Sequence, residues 1–73
     1  MKCRYISFRE ALRSDELGDY ESFGIRVLTA SGEEIAAVSD VSPNGALVEE
    51  LCRRCNEDAL SPLRLLDVIE RSI

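Results

Sequence analysis

The sequence predicts an α+β fold: a three-stranded antiparallel sheet followed by two C-terminal helices packed on one face. Three observations carry that reading. The first half of the chain is rich in aromatic and branched residues and is broken at Ser31-Gly32, a hairpin signal because glycine tolerates the positive φ of tight turns. The second half twice places a serine before a proline, Ser42-Pro43 and Ser61-Pro62, ahead of apolar residues at helical spacing. The chain is 73 residues long, 45% hydrophobic and 32% charged, a globular composition sufficient for one domain, 1–73, and no more.

Residues 2–9 mix Tyr5, Ile6 and Phe8 with Lys and Arg and predict the first strand. Residues 12–20 read as a polar loop. Residues 23–29 and 34–39 predict the two strands of a hairpin. A two-residue loop at Ser31-Gly32 would pair Thr29 with Glu34, Val27 with Ala36, Ile25 with Val38 and Phe23 with Asp40. One face would then carry Phe23, Ile25, Val27, Ala36 and Val38 as the core face. The other would carry Gly24, Arg26, Leu28, Ile35, Ala37 and Ser39, with Leu28 directly opposite Ile35. A slip of one residue exchanges the faces, so the register is testable.

The first helix is predicted over 43–57, with Ser42 as N-cap and Pro43 at the first helical position. Leu47, Val48, Leu51, Cys52 and Cys55 fall within an arc of roughly 140°. Glu49 with Arg53 and Glu50 with Arg54 are spaced to form i, i+4 ion pairs on the opposite side. The second helix is predicted over 62–72, with Ser61 as its cap. Its apolar residues, Leu63, Leu65, Leu66, Val68, Ile69 and Ile73, spread over roughly 220° of the wheel. One sheet face cannot cover that much, so this helix is expected either to wedge between sheet and first helix or to meet another chain.

A net charge of −5 repels phosphate backbones and argues against nucleic acid as a partner. No apolar run approaches the ~18–20 residues that a membrane-spanning helix needs. The start, Met1-Lys2-Cys3-Arg4-Tyr5, has no continuous apolar segment behind its basic residues and is not expected to act as a signal peptide. Three cysteines, an odd number, do not make a disulfide framework. A reducing, cytoplasmic setting is the expectation.

The chain contains no histidine, so acid–base chemistry would fall to its 14 acidic residues. Asp40 is the candidate among them, weighed against the role of favouring a helix N-terminus. Cys52-Arg53-Arg54-Cys55 is the one chemical-looking motif. A structural zinc site wants four ligands, and Cys3 is the only other thiol. A redox pair wants a helix N-terminus, whereas these cysteines stand toward the C-terminal end of the predicted helix. Both sulfurs share its apolar arc, which is the pattern of core packing. A metal- or redox-responsive regulator using Cys52 and Cys55 is the alternative. There is no G-x-G-x-x-G and no P-loop, and Ser42 and Ser61 read as caps rather than nucleophiles. No catalytic, cofactor-binding or metal site is predicted.

What remains is surface. Leu28, Ile35, Leu65 and Val68 form the candidate interface, and the expected function is a non-catalytic interaction module. It would act as a homodimer or an accessory subunit, with a protein partner and no cofactor.

Asp40-Val41-Ser42, the run from Cys55 to Pro62, Leu66-Asp67-Val68-Ile69-Glu70 and Phe23-Gly24-Ile25 resemble a family of short clostridial proteins classed as a domain of unknown function. The resemblance covers about residues 20–73. That family has Tyr-Gly-Ile where this chain has Phe23-Gly24-Ile25, and a histidine and an acidic residue where it has Arg64 and Arg71. The resemblance implies a small bacterial cytoplasmic domain and carries no activity, cofactor or partner.

Overall fold

The structure, a computed structural model, describes residues 2–72. Strands β1 (Cys3–Ser14), β2 (Gly18–Thr29) and β3 (Glu34–Ser42) form one antiparallel sheet in the order β1-β2-β3. Helix α1 (Gly45–Glu57), a 3₁₀ turn (Pro62–Arg64) and helix α2 (Leu65–Ser72) follow. The expected architecture is the one observed.

The segment expected to be a polar loop, 12–20, is instead the end of a long hairpin. Leu12 pairs with Tyr20, Arg13 with Asp19 and Ser14 with Gly18. The Ser14 hydroxyl accepts the backbone N–H groups of Glu16 and Leu17, at 3.2 and 3.3 Å, and Gly18 takes φ 70°. This ribbon runs past the end of β3, so both of its faces meet water and neither needs an apolar stripe. Without that stripe, the sequence pattern had no period of two to show.

The β2–β3 turn also departs from expectation. Gly32 N–H bonds to the Thr29 carbonyl, Thr29 N–H bonds to the Glu33 carbonyl, and Gly32 has φ 89°. That is a three-residue loop closed by a glycine in the left-handed region, not a two-residue one. A register shift between Val27 and Leu28 absorbs the extra residue. The expected pairs Val27–Ala36 and Ile25–Val38 therefore hold, while Leu28 faces Glu34 rather than Ile35. A second shift pairs Phe23 with Ser42 instead of Asp40.

Both helix starts shift as well. Asn44 is the N-cap of α1, its side chain accepting the Leu47 N–H at 3.2 Å, while the Ser42 hydroxyl accepts the N–H of Asn44. Pro43 thus lies ahead of the helix. Ser61 precedes Pro62 as expected but makes no side-chain capping bond, and the first turn after it is 3₁₀. On α1, Arg53 pairs with Glu50 and Glu57, in place of the expected Glu49–Arg53 and Glu50–Arg54 pairs.

Both helices contribute to one face of the sheet. Tyr5, Ile25 and Val27 from the strands meet Val48, Leu51, Cys52 and Cys55 from α1 and Leu65 and Ile69 from α2, with Val41 at the margin. Ile25, Val27 and Val48 are fully excluded from solvent. Phe23 and Val38 pack partly against this core, but Ala36, also expected there, is exposed because the helices lean toward β1.

One side chain locks the two layers. The Tyr5 backbone N–H donates to Asn56 Oδ1 at 2.8 Å, and Asn56 Nδ2 donates to the Tyr5 carbonyl at 2.9 Å. The α1 amide therefore pairs with the free edge of β1 as a neighbouring strand would. The Tyr5 hydroxyl donates to the Leu60 carbonyl beyond the helix. Burial, reinforced by nearby Cys3 and Cys55, pushes the Tyr5 phenol up to about 12. The helix end is a Schellman turn: Leu60 N–H bonds to the Cys55 carbonyl and Ala59 N–H to that of Asn56, with Ala59 at φ 48°.

Candidate functional site

With both helices on one side, no second layer covers the other side of the sheet among the described residues. Strand alternation puts Arg4, Ile6, Phe8, Glu10 and Leu12 of β1 there, beside Tyr20, Ser22, Gly24, Arg26 and Leu28 of β2. Ala37 joins them from β3, paired with Arg26. Ile6, Phe8 and Leu12 are half-buried and Ile35 is 46% exposed.

Gly24 is central to this face. A Cβ at this position would stand 2.6 Å from Phe8 Cζ and would clash with the Val38 carbonyl oxygen. Glycine here lets the tip of the Phe8 ring come close to the β2 backbone. The same ring fills the space where a β2 side chain would have been.

Next to it lies a polar cluster. The Asp40 carboxylate accepts the hydroxyls of Ser22, at 2.6 Å, and Tyr20, at 2.9 Å. Glu10 reaches across β2 and accepts the Ser39 hydroxyl at 2.8 and 2.9 Å and the Asp40 N–H at 2.7 Å. Asp40 sits in the register shift of β3 with φ 53°, a conformation that aspartate tolerates better than most residues. The Ser22 bond first and the Tyr20 bond second hold its carboxyl below the usual carboxylate range. The bond to Asp40 in turn raises the Tyr20 phenol. Asp40 therefore pins an irregular strand, and it neither caps α1 nor stands in the first turn of that helix.

At the opposite end of the sheet, Lys2, Cys3, Arg4, Thr29, Ala30 and Asn56 line an open concavity of about 540 Å³. Among the described residues Arg4 makes no ion pair, whereas Arg9, Arg13 and Arg26 pair with Glu21, Asp19 and Glu34.

The four residues singled out as an interface are dispersed. Ile35 is exposed, Leu28 is 8% exposed within the uncovered face, Leu65 is 3% exposed inside the helix-side core, and Val68 packs partly against that core. On the second helix the exposed side chains are Leu63 and Leu66, at 96% and 61%. At about 100° per residue Leu63 and Leu66 fall roughly 160° and 100° from Leu65, whereas Val68 and Ile69 fall within about 60° of it, so the wheel already held the signal that separates the exposed pair from the buried side. Sequence reasoning also missed Ile6 and Phe8, although their alternation around Ser7 with Tyr5 and Arg9 was the signal that could have placed them together.

Cys52 and Cys55 are buried in the core with free thiols. Burial pushes Cys52 up to about 11 and raises Cys55 as well, which opposes the thiolate that metal binding and redox exchange need. Among the described residues no three His, Cys, Asp or Glu side chains are grouped to hold a metal ion. Among the described residues no helix is long and apolar enough to cross a membrane.

A family model described as a family of unknown function (DUF6514) matches residues 1–73. The chain belongs to that family. The DUF6514 match spans the whole chain, including the first strand and the ribbon that precede the region of sequence resemblance. No curated protein and no solved structure matches the chain.

Proposed function

We propose that this DUF6514 chain is a non-catalytic protein-interaction module of the bacterial cytoplasm that self-associates. The observation that carries the reading is the uncovered sheet face, where half-buried Ile6 and Phe8 lie under no second layer among the described residues. A sheet normally buries an apolar face against another element. The non-catalytic part of the reading is supported by the absence of histidine from the sequence and by the engagement of Asp40 and Glu10 in bonds that hold β3. Three free thiols fit a reducing compartment.

Multi-angle light scattering across a wide concentration range tests the proposal. A mass that rises toward twice that of the chain is expected. A constant monomer mass at the highest attainable concentration would exclude self-association.

A further inference from the structure

We infer that the uncovered sheet face is an isologous homodimer interface in which Arg4 of each copy meets Glu10 and Asp40 of the other. The inference rests on the self-association proposed above and specifies its surface and orientation. Along this face the charges that lack an ion pair among the described residues are segregated, with the Arg26–Glu34 pair standing between the two ends. Arg4 stands at one end without an ion pair among the described residues, while Arg9, Arg13 and Arg26 are each already paired. Glu10 and Asp40 stand at the other end, held by hydroxyl and N–H donors but by no cation. Six residues of strand separate Arg4 from Glu10, about 20 Å. Between them lie Ile6, Phe8, Gly24 and Ala37, with Arg26, already paired with Glu34, beside Ile6.

That pattern is complementary to itself. Two sheets packed face to face can be related by a two-fold axis lying in the interface and running across the strands. Such an axis reverses strand direction, so each cationic end lies over an acidic end and the middles, with Ile6, Phe8 and the internally paired Arg26, coincide. An axis running along the strands would stack Arg4 on Arg4 and acids on acids, a like-charge arrangement that costs affinity. The helices stay on the outside in either case. An unrelated partner would need the same charges in mirror order, and a second copy has them already.

Sedimentation velocity on the full chain tests this with Arg4→Glu, Glu10→Lys and their equimolar mixture. Each variant alone brings like charges together at both ends and should raise the dimer dissociation constant about tenfold or more. The mixture should recover the wild-type constant, because both ends of the mixed pair again carry opposite charges. Ile6→Glu, in the middle of the face, gives an arm independent of the bonds that Glu10 makes within the chain, and it too should weaken the dimer. Thermal melts of all three variants check that the fold is kept. A wild-type dimer left unchanged by Arg4→Glu or Ile6→Glu would overturn the inference while leaving self-association standing on another surface. A monomeric wild type would overturn both.

Discussion

The two faces of this sheet are stabilised by different physics although they share the same strands. The helix-covered face is held by close packing: Ile25, Val27 and Val48 are fully excluded from solvent, with Tyr5 tied by backbone and hydroxyl to Asn56 and Leu60. The uncovered face is held by hydrogen bonds to two carboxylates and by one ring whose tip stands against a glycine. Packing is lost in steps of a whole methyl group, and no solvent molecule replaces it. Exposed polar contacts compete with water and salt throughout. The first face therefore secures the fold, and the second is free to carry a contact with another molecule.

The contrast breaks most sharply under truncation. Ile25→Ala should cost about 2–4 kcal/mol, and in a domain of this size each kcal/mol is worth about 4–8 °C in Tm. The counterpart on the other side, Ile35→Ala, should stay within about 0.5 kcal/mol, because its side chain already meets water. Equal effects in thermal melts would remove the distinction between the faces.

Gly24→Ala comes next, since the new methyl would press on Phe8 and on the Val38 carbonyl oxygen. A loss of about 1–3 kcal/mol is expected in urea unfolding. Pairing it with Phe8→Ala should recover part of the loss by removing the ring.

Asn56→Ala removes the two bonds that seal the edge of β1. About 1 kcal/mol should be lost, with the amide of Tyr5 losing protection in hydrogen exchange before the amides of β2 do. Uniform loss of protection would mean that the bond pair is not a local seal. Ala59→Gly works in the opposite sense. It relieves a side chain held at φ 48° and should add about 0.5–1 kcal/mol.

The smallest expected effect is the pH response of the uncovered face. Asp40's carboxyl titrates below its ordinary range in the folded chain, so its contribution is complete above the unfolded value, about 4, and fades as pH falls through the folded one. Tyr20 is raised, so its contribution is present below its ordinary value, about 10, and fades as pH rises through the folded one. Asp40→Asn should flatten the acid limb of stability against pH. A mutant curve parallel to wild type would show that the carboxylate does not anchor β3.

Several elements were legible because the chemistry that specifies them is local. The apolar arc Val48, Leu51, Cys52 and Cys55 is the buried stripe of α1, and Ile25 and Val27 are core residues paired as expected with Val38 and Ala36. The register survived a wrong turn length only because a shift between Val27 and Leu28 compensates for it. The hairpin at 15–17 was not legible, since a ribbon wet on both sides carries no hydrophobic alternation. Of the candidate surface, Ile35 is exposed, while on the second helix Leu65 is buried and Leu63 is exposed, a division that the 100° wheel already carried but that the even spread of apolar residues masked.

Taken alone, the sequence determined the order of strands and helices, the stripe by which α1 docks and the burial of Cys52 and Cys55. Each of these follows from periodicity and turn chemistry over a few residues. The tertiary structure decided the rest: which sheet face the helices cover, that an amide on α1 seals β1, and that Glu10 and Asp40 meet across β2 while Arg4 stands at the far end. Those outcomes join residues thirty to fifty positions apart, and no local pattern encodes which distant partner will complete a hydrogen bond.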